Sequence, residues 1–108
     1  MVDGNTTAIA LLNDLARTTL TDCRLVITQG IAALDDLDAI IAAVQSFDAF
    51  TPSNDPYGEH DFGSIEHDGQ TVFWKFDYYD LDMLMHSPDP ADPTVTCRVL
   101  TVMLADEY

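Results

Sequence analysis

The spacing of apolar residues near the start of the chain predicts an amphipathic helix. Its apolar positions recur at intervals of three and four residues and so share one face: Ile9, Leu12, Leu15 and Ala16. Asn5 or Thr6 precedes this face, and either side chain can accept a bond from a free backbone amide and cap the helix. We therefore expect a first helix that buries this face in the core.

A short strand and a second helix follow. Residues 21–29 are mostly β-branched or apolar and end at Gly30, which is typical of a strand. Asp35 and Asp36 then favour a helix start, because carboxylates stabilise free amides and the positive end of the helix dipole. The second helix should bury the following residues: Leu37, Ile40, Ile41, Val44 and Phe47.

The strongest local pattern is a β-hairpin centred on Asp68-Gly69. Both residues suit a two-residue type I′ turn, in which both central positions need positive φ. A two-residue turn fixes the register of its strands, and two pairs of opposite residues follow from it: Gly63 with Trp74, and Ile65 with Val72. An indole ring lying over a glycine would hold this register.

The remaining segments complete an α+β fold. Residues 51–58 and 87–93 are rich in Pro, Asp and Asn, so both should be irregular. Residues 94–105 carry apolar side chains on both alternating faces, which indicates a central strand. We predict a single domain over residues 1–108, in the order α-β-α-β-β-β, with two helices packed on one face of a mostly antiparallel sheet of about four strands.

Composition supports a folded protein in a reducing compartment. With 108 residues, 47% of them hydrophobic, the chain can bury one core. We see no secretory signal, and the longest apolar run, residues 39–44, is far shorter than the ~20 residues that span a bilayer. Cys23 and Cys97 lack C-x-x-C spacing, so we expect buried thiols, although a disulfide between them stays possible. These features predict a cytoplasmic protein without a membrane partner.

The charge of the chain is extreme. Nineteen acidic residues oppose four basic ones, for a formal net charge of −15. Such a charge repels nucleic acid and anionic lipid and attracts basic surfaces. Three explanations compete: solvation of the protein in high salt, a scaffold role towards a basic protein, and imitation of nucleic acid.

Imitation of nucleic acid requires the acidic residues to cluster. Spread evenly over about 6,000 Å² of surface, the net charge is one per roughly 400 Å². A duplex carries about one per 100 Å², given one charge per ~1.7 Å of axis. Fourteen acidic residues lie between Asp35 and Asp92, against Lys75 alone. We therefore predict that two acidic loops bordering the hairpin form one negative edge.

Motifs for catalysis or metal binding are weak. Glu-His-Asp occurs at residues 59–61 and again at 66–68, but strand alternation turns each histidine away from its neighbours, so we expect no metal and no cofactor. The chain has no G-x-S-x-G, H-E-x-x-H or EF-hand motif. If the protein is an enzyme, its best candidates lie in one loop: Asp55, Tyr57, Glu59, His60 and Asp61. We prefer a simpler interpretation, in which turn formation explains that spacing without a function and Asn54 and Asp55 are capping residues.

About half of the chain, from residue 54 to residue 108, resembles a family of short bacterial proteins of unknown function. Four segments carry the resemblance: N-D-P-Y-G-E-H-D-F-G (54–63), F-W-K-F-D-Y-Y-D (73–80), S-P-D-P-A-D-P (87–93) and R-V-L-T-V-M-L-A-D-E-Y (98–108). Members of that family are often acidic and encoded on mobile elements. The family has no known activity that the resemblance could carry over to this chain. The resemblance favours an anti-defence role, such as inhibition of a CRISPR or restriction complex.

These observations lead to one hypothesis and two alternatives. We predict a non-enzymatic, nucleic-acid-mimicking inhibitor that binds a basic, nucleic-acid-binding protein and does not bind nucleic acid itself. Its partner-binding residues would be Asp55, Tyr57, Glu59, Asp61, Asp77, Tyr79, Asp80, Asp82, Asp89 and Asp92. The alternatives are a small hydrolase or metal-dependent enzyme that uses loop residues 57–61, and a halotolerant domain without a charge-driven partner. Met83 and Met85 fit either an exposed contact or the core.

The hypothesis makes a positional prediction about charge. Charge reversal at Asp80 and Asp82 should weaken binding to the partner, whereas changes at Asp3 or Asp14 should not. Association should also weaken steeply as salt is added, because salt screens interactions between exposed charges.

Overall fold

The computed structural model describes residues 4–108, which form three helices, a four-stranded sheet and a final 3₁₀ turn. Asp3, one of the two proposed control positions, lies outside the described residues. The elements follow in this order: α1 (Gly4–Thr19), β1 (Arg24–Ile27), α2 (Gln29–Ala32), α3 (Leu37–Gln45), β2 (Phe62–His67), β3 (Gln70–Tyr79), β4 (Cys97–Leu104) and the 3₁₀ turn (Ala105–Glu107).

The sheet has the order β1-β4-β3-β2. The α+β class and the four strands are confirmed, and β4 is a central strand as predicted. The sheet is mixed, however, because β1 runs parallel to β4, while β4 with β3 and β3 with β2 are antiparallel. A parallel neighbour requires a long crossover connection, and here that connection contains α2, α3, β2 and β3.

The hairpin has the predicted register. Asp68 and Gly69 have φ values of 48° and 79°, as a type I′ turn requires. Gly63 lies opposite Trp74, and Ile65 lies opposite Val72. A Cβ atom on Gly63 would lie 2.3 Å from the indole nitrogen of Trp74, so the ring occupies the space that a side chain would need.

The core lies between one face of the sheet and the three helices. Val72, Trp74, Phe76 and Tyr78 alternate along β3 and point to this face. Leu100 and Val102 of β4 extend it. The helices cover it with five buried residues: Ile9, Ala16, Ile31, Ile40 and Val44. No helix among residues 4–108 has the length and apolar content needed to cross a membrane.

The buried face of α1 differs from the prediction. Asn13 and Arg17 are buried, whereas Leu15 is 54% exposed and Leu12 is half-buried. The helix is rotated in this way because Asn13 and Arg17 find hydrogen-bond partners inside the protein, which removes the cost of burying them. Asn5 and Thr6 lie inside the helix, which already includes Gly4.

The segment from β1 to α3 also departs from the prediction. The strand is only four residues long, because residues 29–32 turn into the short helix α2. Asp36 occupies the N-cap position of α3 but makes no side-chain capping bond; its carboxylate instead lies 2.9 Å from Nε2 of His67. Ile40 and Val44 are buried as predicted, whereas Leu37 is exposed.

Candidate acidic interaction site

The sheet topology brings the two acidic loops to one end of the molecule. Residues 54–61 lead into β2, and residues 80–96 connect β3 to β4. Because β3 is antiparallel to both neighbours, the start of β2, the end of β3 and the start of β4 share one end of the sheet. We call this end the loop end, residues 54–61 the first loop and residues 80–96 the second loop. The ten predicted partner-binding residues lie on these loops or on the last residues of β3.

Asn13 joins α1 to both the sheet and the first loop. Its Nδ2 donates to the backbone oxygen of Glu59 at 3.0 Å and to the hydroxyl of Tyr78 at 2.8 Å. The Tyr78 hydroxyl in turn donates to Oε1 of Glu59 at 3.1 Å. Burial, more than any other cause, raises the pKa of Tyr78. Because Glu59 accepts hydrogen bonds from Asn13 and from Tyr78, it has a structural role in addition to its charge.

Arg98 fastens the second loop to the same network. Its Nε donates to Oδ1 of Asn13 at 2.9 Å, and its Nη2 donates to the backbone oxygen of Pro90. The guanidinium lies 5.3 Å from the centre of the Tyr78 ring, within cation–π range. Burial lowers the pKa of Arg98. Because these bonds point inward, Arg98 offers little positive charge to the surface.

His60 anchors the first loop to α1. Its Nδ1 lies 3.0 Å from both carboxylate oxygens of Asp14, and its Nε2 lies 3.6 Å from Oδ2 of Asp55. The ring stacks on Phe50 with centroids 3.9 Å apart. The side chain of Asp55 is only 6% exposed, so its carboxylate is used within this network. Asp14 belongs to it too, and is therefore unsuitable as the neutral control predicted from the sequence.

Asp61 lies among several carboxylates. Burial raises its pKa first, and the nearby charges of Glu59, Asp55 and Asp77 raise it further. The charges of three other predicted residues thus act on Asp61, although Asp77 also forms an ion pair with Lys75 at 2.7 Å. The first loop lies beside the end of β3, because the backbone amide of Phe76 donates to the backbone oxygen of Asp61 at 2.8 Å.

The raised pKa of Asp61 gives a prediction about stability. A carboxyl group with a higher pKa in the folded than in the unfolded state stabilises the fold while protonated, and this contribution is lost as pH rises through the folded pKa. We therefore expect Asp61→Asn to raise the midpoint of thermal unfolding at pH 7. The gain should disappear near pH 3, where aspartate is largely protonated in both states. Thermal melts across this range would measure it.

Asp82→Asn provides the matched control, because Asp82 is exposed. It should change the midpoint little at either pH. A gain from Asp61→Asn that is equally large at pH 3 would contradict the electrostatic cause and indicate a packing effect instead.

The second loop is ordered by its own aspartates. Oδ1 of Asp80 accepts the amide of Leu84 at 3.1 Å, Oδ1 of Asp89 accepts that of Ala91, and Oδ1 of Asp92 accepts that of Thr94. The bonds from the Thr94 side chain and amide lower the pKa of Asp92. These three aspartates thus shape the turns of the second loop.

The second loop also exposes large apolar side chains, which the sequence analysis did not assign to the site. Leu84 is 81% exposed, and Leu81 and Met85 are also well exposed. Tyr57 on the first loop is 81% exposed as well. Met85 therefore fits the exposed interpretation, whereas Met83 is half-buried. The sequence D-L-D-M-L-M has no regular period that could have separated exposed from buried positions.

A groove of about 550 Å³ lies beside the second loop. One wall consists of Leu12 and Leu15 from α1, and Leu81 and Pro93 of the second loop lie on the other side. Other lining residues come from the starts of β1 and β4 and the segments before them: Asp22, Cys23, Arg24, Thr96, Cys97 and Arg98. Both cysteines are free and half-buried, and burial is the main cause that raises the pKa of the Cys23 thiol.

Tyr79 lies between the sheet and the second loop. It pairs with Cys97 of β4 and forms an isolated bridge with His86. A second cavity of about 380 Å³ at this end is lined by Asp61, Phe76, Asp77, Tyr78, Tyr79 and His86. Tyr79 is half-buried, so it offers less contact surface than Tyr57.

Within residues 4–108, one group of side chains has the spacing to hold a metal ion, and it lies at the opposite end of the sheet. Ligand atoms of Asp36, His67 and Asp68 all lie within 4.8 Å of one another. His67 and Asp68 belong to the second Glu-His-Asp triplet. Alternation along the strand could not reveal this group, because Asp36 arrives from the start of α3. The bond from His67 also lowers the pKa of Asp36 and explains the arrangement without a metal.

Comparison with known proteins gives a family but no activity. A family model described as "Protein of unknown function (DUF3768)" matches residues 27–107. The matched region includes the sheet from the last residue of β1 onward, but not α1. No curated protein and no solved structure matches the chain.

Proposed function

The chain belongs to the DUF3768 family, whose function is unknown, and we propose that it is a non-enzymatic interaction protein that uses its loop end to occupy a basic, nucleic-acid-binding surface of another protein. The observation that carries this proposal is the meeting of two acidic loops at one end of the sheet, with exposed apolar side chains between the acids. Charge would attract the partner, and apolar contact would hold it.

Three of the four basic residues have their charge buried or paired, which supports the proposal, whereas the fourth, Arg24, lies at the loop end itself. Arg17 and Arg98 are buried and donate their hydrogen bonds inward. Lys75 is paired with Asp77. Arg24 is exposed, at the start of β1. Most positive charges of residues 4–108 are therefore buried or paired, and the exposed surface is more negative than the composition alone indicates.

The acids are not confined to the loop end. A second group lies at the opposite end of the sheet, around the hairpin turn, the start of α3 and the 3₁₀ turn: Asp35, Asp36, Asp38, Glu66, Asp68, Asp106 and Glu107. Two features favour the loop end. It carries four large exposed apolar residues, Tyr57, Leu81, Leu84 and Met85, whereas the acids of the other group adjoin two, Leu37 and Tyr108. Nearby carboxylates also contribute to the raised pKa of Asp61.

The enzyme alternative receives less support. The contacts of His60 with Asp14, Asp55 and Phe50 hold the first loop against α1, and they account for its position without a reaction. Tyr57, by contrast, projects into solvent. The halotolerant alternative is favoured by the acids at both ends, and it predicts that no single acidic position matters for binding.

The kind of partner follows from charge and from the resemblance of residues 54–108. A protein that binds nucleic acid presents the basic groove that an acidic surface complements. The resemblance to short acidic proteins on mobile elements favours a bacterial defence protein, such as a CRISPR or restriction complex, as that partner.

Displacement of nucleic acid tests the proposal. The protein would be added to a panel of purified bacterial nucleic-acid-binding proteins, including CRISPR and restriction complexes, each bound to a fluorescent duplex. We expect stoichiometric displacement from at least one of them, measured by anisotropy. Asp82→Lys should weaken displacement about tenfold, and added salt should weaken it further, because exposed charges are screened.

Asp106→Lys is the matched control, because it reverses an exposed charge at the opposite end of the sheet. It should change displacement less than about twofold, within the range of a modest long-range charge effect. Equal losses from both variants would support the halotolerant alternative or an unlocalised field, and displacement from no member of the panel would refute the proposal.

A further inference from the structure

The groove beside the second loop has no role in the proposed charge attraction, yet it opens next to the acids. Leu81, which lines it, stands between Asp80 and Asp82 in sequence, and Pro93 follows Asp92. Asp22 lines the groove itself. The groove therefore has one aspartate in its lining and three others, Asp80, Asp82 and Asp92, next to lining residues in the sequence; we call these four its acidic rim.

The walls of the groove are incompletely buried. Leu15 and Leu81 approach it from α1 and from the second loop, and both are more than half exposed. Large apolar residues in such a position gain free energy when another apolar group covers them, at roughly 25 cal/mol per Å². A volume of about 550 Å³ is in the range of pockets that bind ligands.

We propose that this groove receives large apolar side chains from a basic segment of the partner, so that the groove anchors what the acidic loop end attracts. This inference rests on the proposed function and names the part of the partner that binds. The negative charge of the protein favours a basic occupant over a second copy of this chain. A second copy of this chain would bring another net charge of −15 to the same rim, whereas a segment rich in Lys and Arg is attracted to it.

The lining of the groove carries two basic residues, Arg24 and Arg98, against one acidic residue, Asp22. Arg98 is occupied by Asn13 and by the backbone of Pro90. Arg24 is exposed and lines the groove, so it opposes a basic occupant. Arg24→Gln should accordingly tighten binding of a basic segment, in contrast to the loss expected from a change in the apolar wall.

Two synthetic peptides provide the test. The first is a 16-residue Lys/Leu peptide with leucines at spacing three and four, and the second has the same charge with every leucine replaced by serine. Binding to the whole protein would be measured by fluorescence anisotropy at low salt. We expect the leucine peptide to bind at least tenfold more tightly than the serine peptide.

The variants locate the apolar contact. The double variant Leu15→Ser/Leu81→Ser removes two exposed leucines from the groove, and should abolish most of the preference for the leucine peptide. Leu11→Ser/Leu37→Ser removes two exposed leucines that do not line it, and should leave the preference within about twofold. Thermal melts would establish that both doubles remain folded.

The cysteines give a second readout that does not depend on a substitution. Cys23 and Cys97 line the groove as free thiols. The leucine peptide, at saturating concentration, should slow their alkylation by iodoacetamide several-fold, and the serine peptide should not.

The outcomes separate this inference from the function on which it rests. Equal binding of both peptides, unchanged by Leu15→Ser/Leu81→Ser, would refute the groove as an anchor while leaving charge attraction intact. Binding of neither peptide at low salt would refute both. Self-association of the protein that is lost in the groove variant, measured by sedimentation, would assign the groove to a second copy and overturn the inference.

Discussion

Replacement of Arg17 by alanine should lower the free energy of unfolding by about 3 kcal/mol, because it leaves buried acceptors without a donor. The Nη1 of Arg17 donates to the backbone oxygens of Val44, Gln45 and Phe47 at 2.8–3.2 Å. The carbonyls of Gln45 and Phe47 lie at and just beyond the end of α3, where the helix has no further amides to supply. The carbonyl of Val44 also accepts the backbone amide of Phe47 at 3.3 Å. The guanidinium also lies 4.9 Å from the centre of the Trp74 ring.

Urea unfolding followed by circular dichroism would measure this loss. Arg17→Lys should cost less, because it keeps the charge, but it cannot reproduce the planar fork that reaches three carbonyls and Asp14 at once. Arg24→Ala, which changes an exposed arginine, should stay within about 0.5 kcal/mol. A similar cost at both positions would mean that loss of positive charge, rather than loss of the helix cap, destabilises the protein.

Arg17 and Asn13 also show why part of the fold could not be predicted from the sequence. They lie four residues apart on α1, so a periodicity analysis assigns them to a polar, exposed face. Their burial depends on partners far along the chain: the end of α3 for Arg17, and Tyr78, Glu59 and Arg98 for Asn13. Such contacts leave no local pattern. The apolar residues Leu12 and Leu15 were displaced toward the groove as a result.

The parallel pairing of β1 with β4 was missed for a similar reason. Residues 24–27 have the composition of a strand, but direction is set by the crossover that brings β4 alongside, more than 70 residues later. The hairpin was predictable because its turn, register and glycine gap lie within 13 residues, Phe62 to Trp74.

The candidate site was predictable to an intermediate degree. Counting acids between residues 35 and 92 indicated the two loops, and the antiparallel hairpin then placed the first loop beside the end of β3. Counting acids could not reveal that Asp55 lies beside His60 or that Asp77 forms an ion pair with Lys75. It also missed Leu81 and Leu84, because exposure of an apolar side chain in a loop depends on turn geometry that aspartate bonds create.

Gly63→Ala should destabilise the protein by about 2–3 kcal/mol, the cost of overpacking a filled site. The new methyl group would lie 2.3 Å from the indole nitrogen and 2.5 Å from Cε2 of Trp74, so the ring must move. Trp74 is fully buried and packs against Phe47, Phe50 and Phe76, which leaves it little room. Since the chain has one tryptophan, a change in its fluorescence would report the displacement directly.

A double-mutant cycle with Trp74→Phe distinguishes a clash from a general weakening of the strand. The indole nitrogen is buried without a hydrogen-bond partner, so phenylalanine removes volume over Gly63 without breaking a bond. In the Trp74→Phe background, Gly63→Ala should lower the free energy of unfolding by less than about 1 kcal/mol. The difference between the effects of Gly63→Ala in the two backgrounds is the coupling free energy between the two sites. Ser64→Ala, at the exposed neighbouring position of β2, should change stability by less than about 0.5 kcal/mol. If Gly63→Ala were equally costly with either ring, the glycine would be required by the backbone, and the indole would not be what sets the register of the hairpin.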